Sequence, residues 1–193
     1  DGLETREPQL REQALLAALP VQVAHAQAQS AAMAQALRGV DGRAVRTRAD
    51  LARLPVTRKQ ELFERQKAVR AGGGDPFGGY STLAYGRAMP RVFASPGPIY
   101  EPEGRVADYW RMARAIFAAG FRAGDLVHNS FSYHFTPAGS MMESGAHAIG
   151  CSVFAAGVGQ TEQQVAAMQD LQPAGYIGTP SFLKIILEKA AEL

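Results

Sequence analysis

Between residues 106 and 193 short apolar runs alternate with amphipathic stretches, and this alternation restricts the fold more than any other feature of the chain. Tyr109, Trp110, Met112, Ile116 and Phe117 supply one apolar face and predict a helix over about 107–119. A strand at 126–129 follows, then a helix over 137–149, a strand at 152–155 and a helix over 161–171. Thr161 stands three residues before Gln164 in capping-box spacing, which predicts that it opens this helix. A third strand, 175–178, leads through Thr179-Pro180-Ser181 into a last helix carrying Leu183, Ile185, Ile186 and Leu187. Strands separated by helices of this length pair in parallel and are covered by those helices. The expected fold class is therefore α/β, with a helix-covered parallel sheet. Ligands of such sheets gather at the carboxyl ends of the strands, so the loops at 130–137, 156–160 and 178–181 are the candidate site loops.

The first 71 residues are expected to be a helical subdomain. Leu3, Leu10, Leu15, Leu16 and Leu19 recur at near-helical spacing as far as Pro20, where the first helix should stop. A second Ala- and Gln-rich helix carries Val21, Val23, Met33 and Leu37 and ends at Gly39. Thr57, with Gln60 three residues on, is expected to cap a third. Residues 1–70 hold 12 basic and 8 acidic side chains against 3 and 6 in 120–193, so the first stretch must be mostly surface and the last mostly interior. Between them, residues 72–105 are rich in Gly and Pro. Three prolines within 95–102 remove N–H donors and forbid a helix, which predicts an exposed or ligand-facing loop. The expected organisation is thus 1–71, 72–105 and 106–193.

A net charge of +2, spread over scattered arginines, gives no footing for nucleic acid or membrane partners. No apolar run reaches the ~18–20 residues that span a bilayer. The opening Asp1-Gly2-Leu3-Glu4 lacks an export pattern and an initiating Met, which predicts a cytoplasmic protein and a longer gene product. The single cysteine, Cys151, excludes an internal disulfide and a multi-cysteine metal site, and its apolar neighbours predict a buried thiol.

Several ordered segments resemble one family. Leu54-Pro55-Val56-Thr57-Arg58-Lys59, Asp75-Pro76-Phe77-Gly78, Gly124-Asp125-Leu126-Val127-His128, Gly150-Cys151-Ser152-Val153, the run 159–165 and Thr179-Pro180-Ser181-Phe182-Leu183 are similar to successive stretches of phenylacetate–coenzyme A ligases. The resemblance implies the N-terminal part of an adenylate-forming acyl- or aryl-CoA ligase: a carboxylate attacks ATP to give an acyl-adenylate, and the thiol of coenzyme A then displaces AMP. It implies ATP with Mg²⁺, coenzyme A as co-substrate, a small-molecule carboxylate as substrate, and a homodimer formed through helical N-terminal segments. The family's later motifs, including a C-terminal lysine, do not occur in the chain, so this portion by itself is expected to be inactive and to hold no complete catalytic residue set.

The family's phosphate loop aligns with 93–102 in altered form. Ala94, Ser95, Gly97 and Pro102 are kept, whereas threonines are replaced by Pro98 and Ile99, a glycine by Tyr100 and the lysine by Glu101. Phosphate cradles work through N–H donors, hydroxyls and positive charge. Two unit charges ~4–6 Å apart in a half-wet site interact at roughly 3–4 kcal/mol, so Glu101 opposes a triphosphate. Ser95, Gly97 and Glu101 are thus the residues of a degenerate phosphate loop. The alternative they raise is a ligase-like protein that has lost adenylation and binds an acyl or aryl ligand, or a protein partner.

After the first strand of the α/β region, the segment 131–137 aligns with the family's aryl-pocket loop, and Tyr133 with its central tyrosine. The resemblance places Tyr133 in a substrate pocket, its ring stacking on the acid; His134 stands where the family has glycine and inherits no role, and by loop position it joins Phe135, Thr136 and Gly139 as candidate pocket residues, His134 and Thr136 offering polar contacts. An aromatic cluster closing the domain edge is the plainer reading of the same residues. His128 reads as a structural histidine, His147 with Glu143 as an ordinary i,i+4 helix pair, and Ser181 as a helix-start residue.

Overall fold

The computed structural model describes residues 2 and 5–193, so Leu3 and most of the opening tetrapeptide lie outside the described residues. Two compact units divide the chain: residues 1–84 with 98–101, and residues 85–97 with 102–193.

The first unit contains helices α1 (Pro8–Gln29), α2 (Ala31–Ala36), α3 (Arg48–Ala52) and α4 (Lys59–Ala71). Contrary to expectation, α1 runs through Pro20. Proline removes one intrahelical hydrogen bond there, which an alanine-rich helix in contact with α2 and the 3-10 turn Gly42–Ala44 can sustain. The chain breaks at Ser30 instead, whose hydroxyl accepts from Met33 N at 3.2 Å to cap α2 and donates to Gly79 O at 2.8 Å. Val23, Leu37 and Val45 form the core of this unit, with Leu19, Met33, Val40 and Leu54 packed on it. Helix α4 begins one residue later than the Thr57 reading placed it, with Arg58 at the cap position: Glu61 reaches back to accept from Arg58 N at 3.1 Å, while Gln60 bonds to Glu64. In the Asp-Pro-Phe-Gly step, the Asp75 carboxylate accepts from Phe77 N and Gly79 N, and Gly78 takes a left-handed conformation (φ +64°) against the backbone of Gln66.

Strands β1 (Arg91–Ser95) and β2 (Ile99–Glu103) form a two-stranded sheet, and the division between units falls within β2. Residues 99–103 are therefore a strand, not the irregular loop that the prolines predicted, and Ile99 is buried. Pro102 is tolerated because a strand of a two-stranded sheet has one side free of ladder bonds.

The second unit continues with α5 (Ala113–Ala118), β3 (Leu126–Asn129), α6 (Ala138–Ala148), β4 (Ser152–Ala155), α7 (Thr161–Leu171), β5 (Gly175–Ile177) and α8 (Pro180–Glu192). The strands form a parallel sheet in the order β4-β3-β5, Val127 standing opposite Val153 on one side and Gly175 on the other. The α/β expectation is correct. Helix α5 is shorter than the sequence predicted. Asp108 and Arg111 adopt positive φ, and the Asp108 carboxylate accepts from Met112 N (2.7 Å) and Ala113 N (3.1 Å), so the turn ends where the helix was expected to be under way. Ile116, Val127, Ala146 and Cys151 make the core of this unit. Gly145 lets α6 lie directly on α5, since a Cβ there would meet Ala113 N and Met112 Cβ at 2.9 Å.

Candidate acid-binding site

The site grows from the last residue of β3. Asn129 is fully buried, and its amide donates to Tyr133 Oη at 2.8 Å and to Gly139 O at 2.9 Å. Its carbonyl oxygen accepts from Phe131 N at 3.2 Å, so a single side chain folds the loop between β3 and α6 back on itself. The Tyr133 ring lies against Gly139, where a Cβ would come within 2.9 Å of the ring. The Tyr133 hydroxyl oxygen accepts from Asn129. Burial, with the Glu143 carboxylate beside it, pushes the phenol well above its usual range, so it stays protonated. Ser132 is also engaged locally, accepting from His134 N and donating to His134 O.

The loop after β4 forms the facing wall. Gln164, buried on α7, donates to Gly157 O at 2.9 Å and Gly159 O at 2.8 Å. Both amide hydrogens being committed, its carbonyl oxygen must face His128 Nε2 at 2.8 Å, which makes Nε2 the protonated nitrogen of that buried ring. The structural reading of His128 is correct. Gln164 is thus a loop brace, and the capping role expected of the Thr161 segment is not found: the residue before α7, Gln160, is left-handed and makes no side-chain cap.

Tyr133 and His134 on one side and Ala155, Ala156, Gly157 and Val158 on the other enclose a cavity of about 220 Å³ at the carboxyl ends of β3 and β4. Of the residues the sequence assigned to the pocket, Tyr133 and His134 line it, and Gly139 lies behind the Tyr133 ring. Phe135 does not: it is 82% exposed with φ +58°, and its carbonyl accepts from Ala94 N at 2.7 Å. Thr136 has no place in the lining. The Ala94 bond brings the end of β1, and so Ser95, beside this loop within the second unit.

The altered phosphate loop can be tested against its inherited ligand. Pro96 and Pro98 carry no N–H, and Tyr100 N–H is taken by Gln66 Oε1 at 2.9 Å while Gln66 Nε2 donates to Tyr100 O at 3.0 Å. Arg70, a possible cation, stacks over the Tyr100 ring at 5.0 Å. With the Tyr100 N–H committed to Gln66, residues 98–101 offer a phosphate fewer free donors than a cradle of the usual kind, and any nucleotide phosphate would have to be held mainly by other groups.

Two further features escaped the sequence reading. Glu103, buried at the end of β2, accepts from Arg91 (2.8 Å), Trp110 Nε1 (2.7 Å) and Ser140 Oγ (2.6 Å). Glu143 was read only through its helical spacing to the exposed His147, and its charge also helps raise the Tyr133 phenol. An acidic residue inside the mostly apolar α/β half was the one available signal for Glu143; for Glu103 there was none. Cys151 is buried, its thiol donating to Arg122 O, and burial pushes its pKa up.

No family model matches the chain. Among solved structures, 2-hydroxyisobutyryl-CoA ligase in the postadenylation state in complex with 2-HIB-AMP superposes with a TM-score of 0.84 at 25% identity, covering 96% of this chain and 40% of that one. An open conformation of the same ligase with 2-HIB-AMP and CoA gives 0.83 at 25% identity, covering 94% and 40%. The fold is that of the adenylate-forming CoA ligases. Phenylacetate–coenzyme A ligase of Aromatoleum evansii is 32% identical over 159 residues, 79% of this chain and 34% of its own length. The enzymes of that name from Thermus thermophilus (31% over 160 residues, 78% and 33%) and Pseudomonas putida (34% over 143 residues, 69% and 30%) match similarly. The chain belongs to the phenylacetate–coenzyme A ligase family, and spans about a third of the length of the curated relatives it matches.

Proposed function

We propose that this chain supplies the acid-binding part of an acyl- or aryl-CoA ligase, and that the cavity between Tyr133 and Ala155–Val158 holds the hydrophobic portion of the carboxylate. The observation that carries this reading is the cavity itself, braced by Asn129 and Gln164 at the carboxyl ends of two parallel strands. The reaction proposed for the whole protein is thioester formation between a hydrophobic acid and coenzyme A, driven by ATP with Mg²⁺. Calorimetric titration of the whole protein with phenylacetate, then with ATP and Mg²⁺, tests it. Saturable binding of both is expected; failure of phenylacetate to bind at millimolar concentration counts against the acid site.

A second reading is favoured by the engagement of Tyr100 N–H with Gln66: a ligase-like protein that binds the acid without adenylating it. Phenylacetate binding without any ATP binding supports this reading over the first.

A homodimer is proposed through α1, whose outward face leaves Leu10 56%, Leu15 58% and Val21 72% exposed. Sedimentation of the whole protein should give twice the monomer mass, and a monomer at high concentration would oppose it. Among the described residues no helix is long and apolar enough to cross a membrane. The absence of nucleic acid partners remains part of the proposal on the charge distribution, and a cytoplasmic location remains a proposal as well.

A further inference from the structure

Resting on the acid-site reading, we infer that Glu103 is a positioning residue for the acid pocket: through Ser140 it fixes the first turn of α6, and with it the Gly139 backbone against which the Tyr133 ring lies.

Glu103 is 5% exposed at the end of β2, and a carboxylate so buried stays charged only when donors meet its oxygens. Arg91 Nη1 meets Oε1 at 2.8 Å, while Trp110 Nε1 and Ser140 Oγ meet Oε2 at 2.7 and 2.6 Å. Ser140 has one hydroxyl proton, and it goes to the carboxylate; its oxygen accepts in turn from the same Arg91 nitrogen at 3.1 Å. Arg91, Glu103 and Ser140 thus close a ring of charge-assisted hydrogen bonds joining β1, β2 and α6.

The residue before Ser140 is the one on which the pocket is built. Gly139 N donates to Ser132 O at 2.9 Å, and Gly139 O accepts from Asn129 Nδ2 at 2.9 Å. A Cβ on Gly139 would stand 2.9 Å from the Tyr133 ring, so ring and backbone touch with no room for a methyl group. A shift of Ser140 therefore moves the surface behind Tyr133, one peptide away. The hairpin grips the same loop a second time, since Ala94 N on β1 donates to Phe135 O at 2.7 Å. The segment 130–140 is held by Asn129 at its start, by β1 at its middle and by Glu103 at its end. Neither Glu103 nor any of its three donors lines the cavity, so its effect on a bound acid passes through Ser140.

The test measures phenylacetate binding to the whole protein by calorimetry in the wild type, Ser140→Ala, Glu103→Gln, the double variant and Trp110→Phe. Ring-labelled tyrosine NMR follows Tyr133, and thermal unfolding follows stability. Ser140→Ala cuts the link to α6 and leaves Glu103 its bonds from Arg91 and Trp110; Trp110→Phe removes a bond of similar length to the same oxygen but none to α6. Both should lower the unfolding temperature. Only Ser140→Ala should weaken phenylacetate, by about three- to tenfold, and shift the Tyr133 ring resonances before any ligand is added. Glu103→Gln should weaken it at least as much, and adding Ser140→Ala to that variant should change nothing further, because the two act through one bond. Equal losses of affinity in Trp110→Phe and Ser140→Ala overturn the inference, as do additive losses in the double variant or unmoved Tyr133 resonances in Ser140→Ala. Should Glu103→Gln fail to fold, the contrast between Ser140→Ala and Trp110→Phe still decides. If phenylacetate does not bind the wild type, the acid-site reading fails, and the Tyr133 resonances then judge the positioning role alone: moved by Ser140→Ala but not by Trp110→Phe they sustain it, and unmoved they overturn it too.

Discussion

Replacing Gln164 should loosen the wall of the cavity by an amount the hydrogen bonds set. In Gln164→Leu the side chain keeps its bulk and loses three partners. His128 is 1% exposed, so its Nε2–H is left buried without an acceptor, at a cost of about 1–3 kcal/mol. The carbonyls of Gly157 and Gly159 lie nearer the surface and can turn to water, so each lost bond there costs only about 0.5–1.5 kcal/mol. The expected destabilisation is about 3 kcal/mol, read as a lower urea midpoint with the slope of the transition unchanged. Gln164→Glu sharpens the test, because a carboxylate retains the acceptor for His128 but turns an oxygen lone pair toward two carbonyls. It should do no better than leucine. A loss under about 1 kcal/mol for Gln164→Leu, or rescue by glutamate, would refute the assigned amide orientation and the brace with it.

Glu103 gives a pH dependence. Burial pushes its carboxyl up, but the bonds from Ser140, Trp110 and Arg91 outweigh that, and the net shift is downward. A depressed carboxyl stabilises the fold above its unfolded value and loses that contribution as pH falls through the folded value. The stability advantage of the wild type over Glu103→Gln should therefore be constant near neutrality and shrink below about pH 4, as followed by thermal unfolding; an advantage that grows on acidification contradicts the assignment. Gly139→Ala should cost about 1–3 kcal/mol and displace Tyr133, because the new Cβ would stand 2.7 Å from Ser132 O and 2.9 Å from the ring. Unperturbed Tyr133 ring resonances in that variant would contradict the close packing.

Elements set by local pattern were legible in the chain. The strands at 126–129 and 152–155 and the helix at 161–171 follow from hydrophobic periodicity, and the site loops from the rule that parallel sheets bind at their carboxyl ends. Helix ends were less so. Pro20 reads as a stop but packing carries α1 past it, and Asp108 reads as part of a helix but acts as the cap of a shorter one. The three polar residues that hold the second unit together were illegible for a common reason. Asn129 reaches Gly139, Gln164 reaches His128, and Glu103 reaches Ser140, and no local spacing encodes contacts between residues brought together only by folding. A buried strand ending in His-Asn was the one hint that polar partners must lie elsewhere in the chain.

Amide chemical-shift mapping with phenylacetate tests the location of the acid site most directly. Saturable shifts concentrated at 131–134 and 155–160 are the predicted result. Shifts confined instead to the apolar groove between α7 and α8, lined by Val165, Met168 and Leu187, would contradict it, as would an absence of any saturable shift.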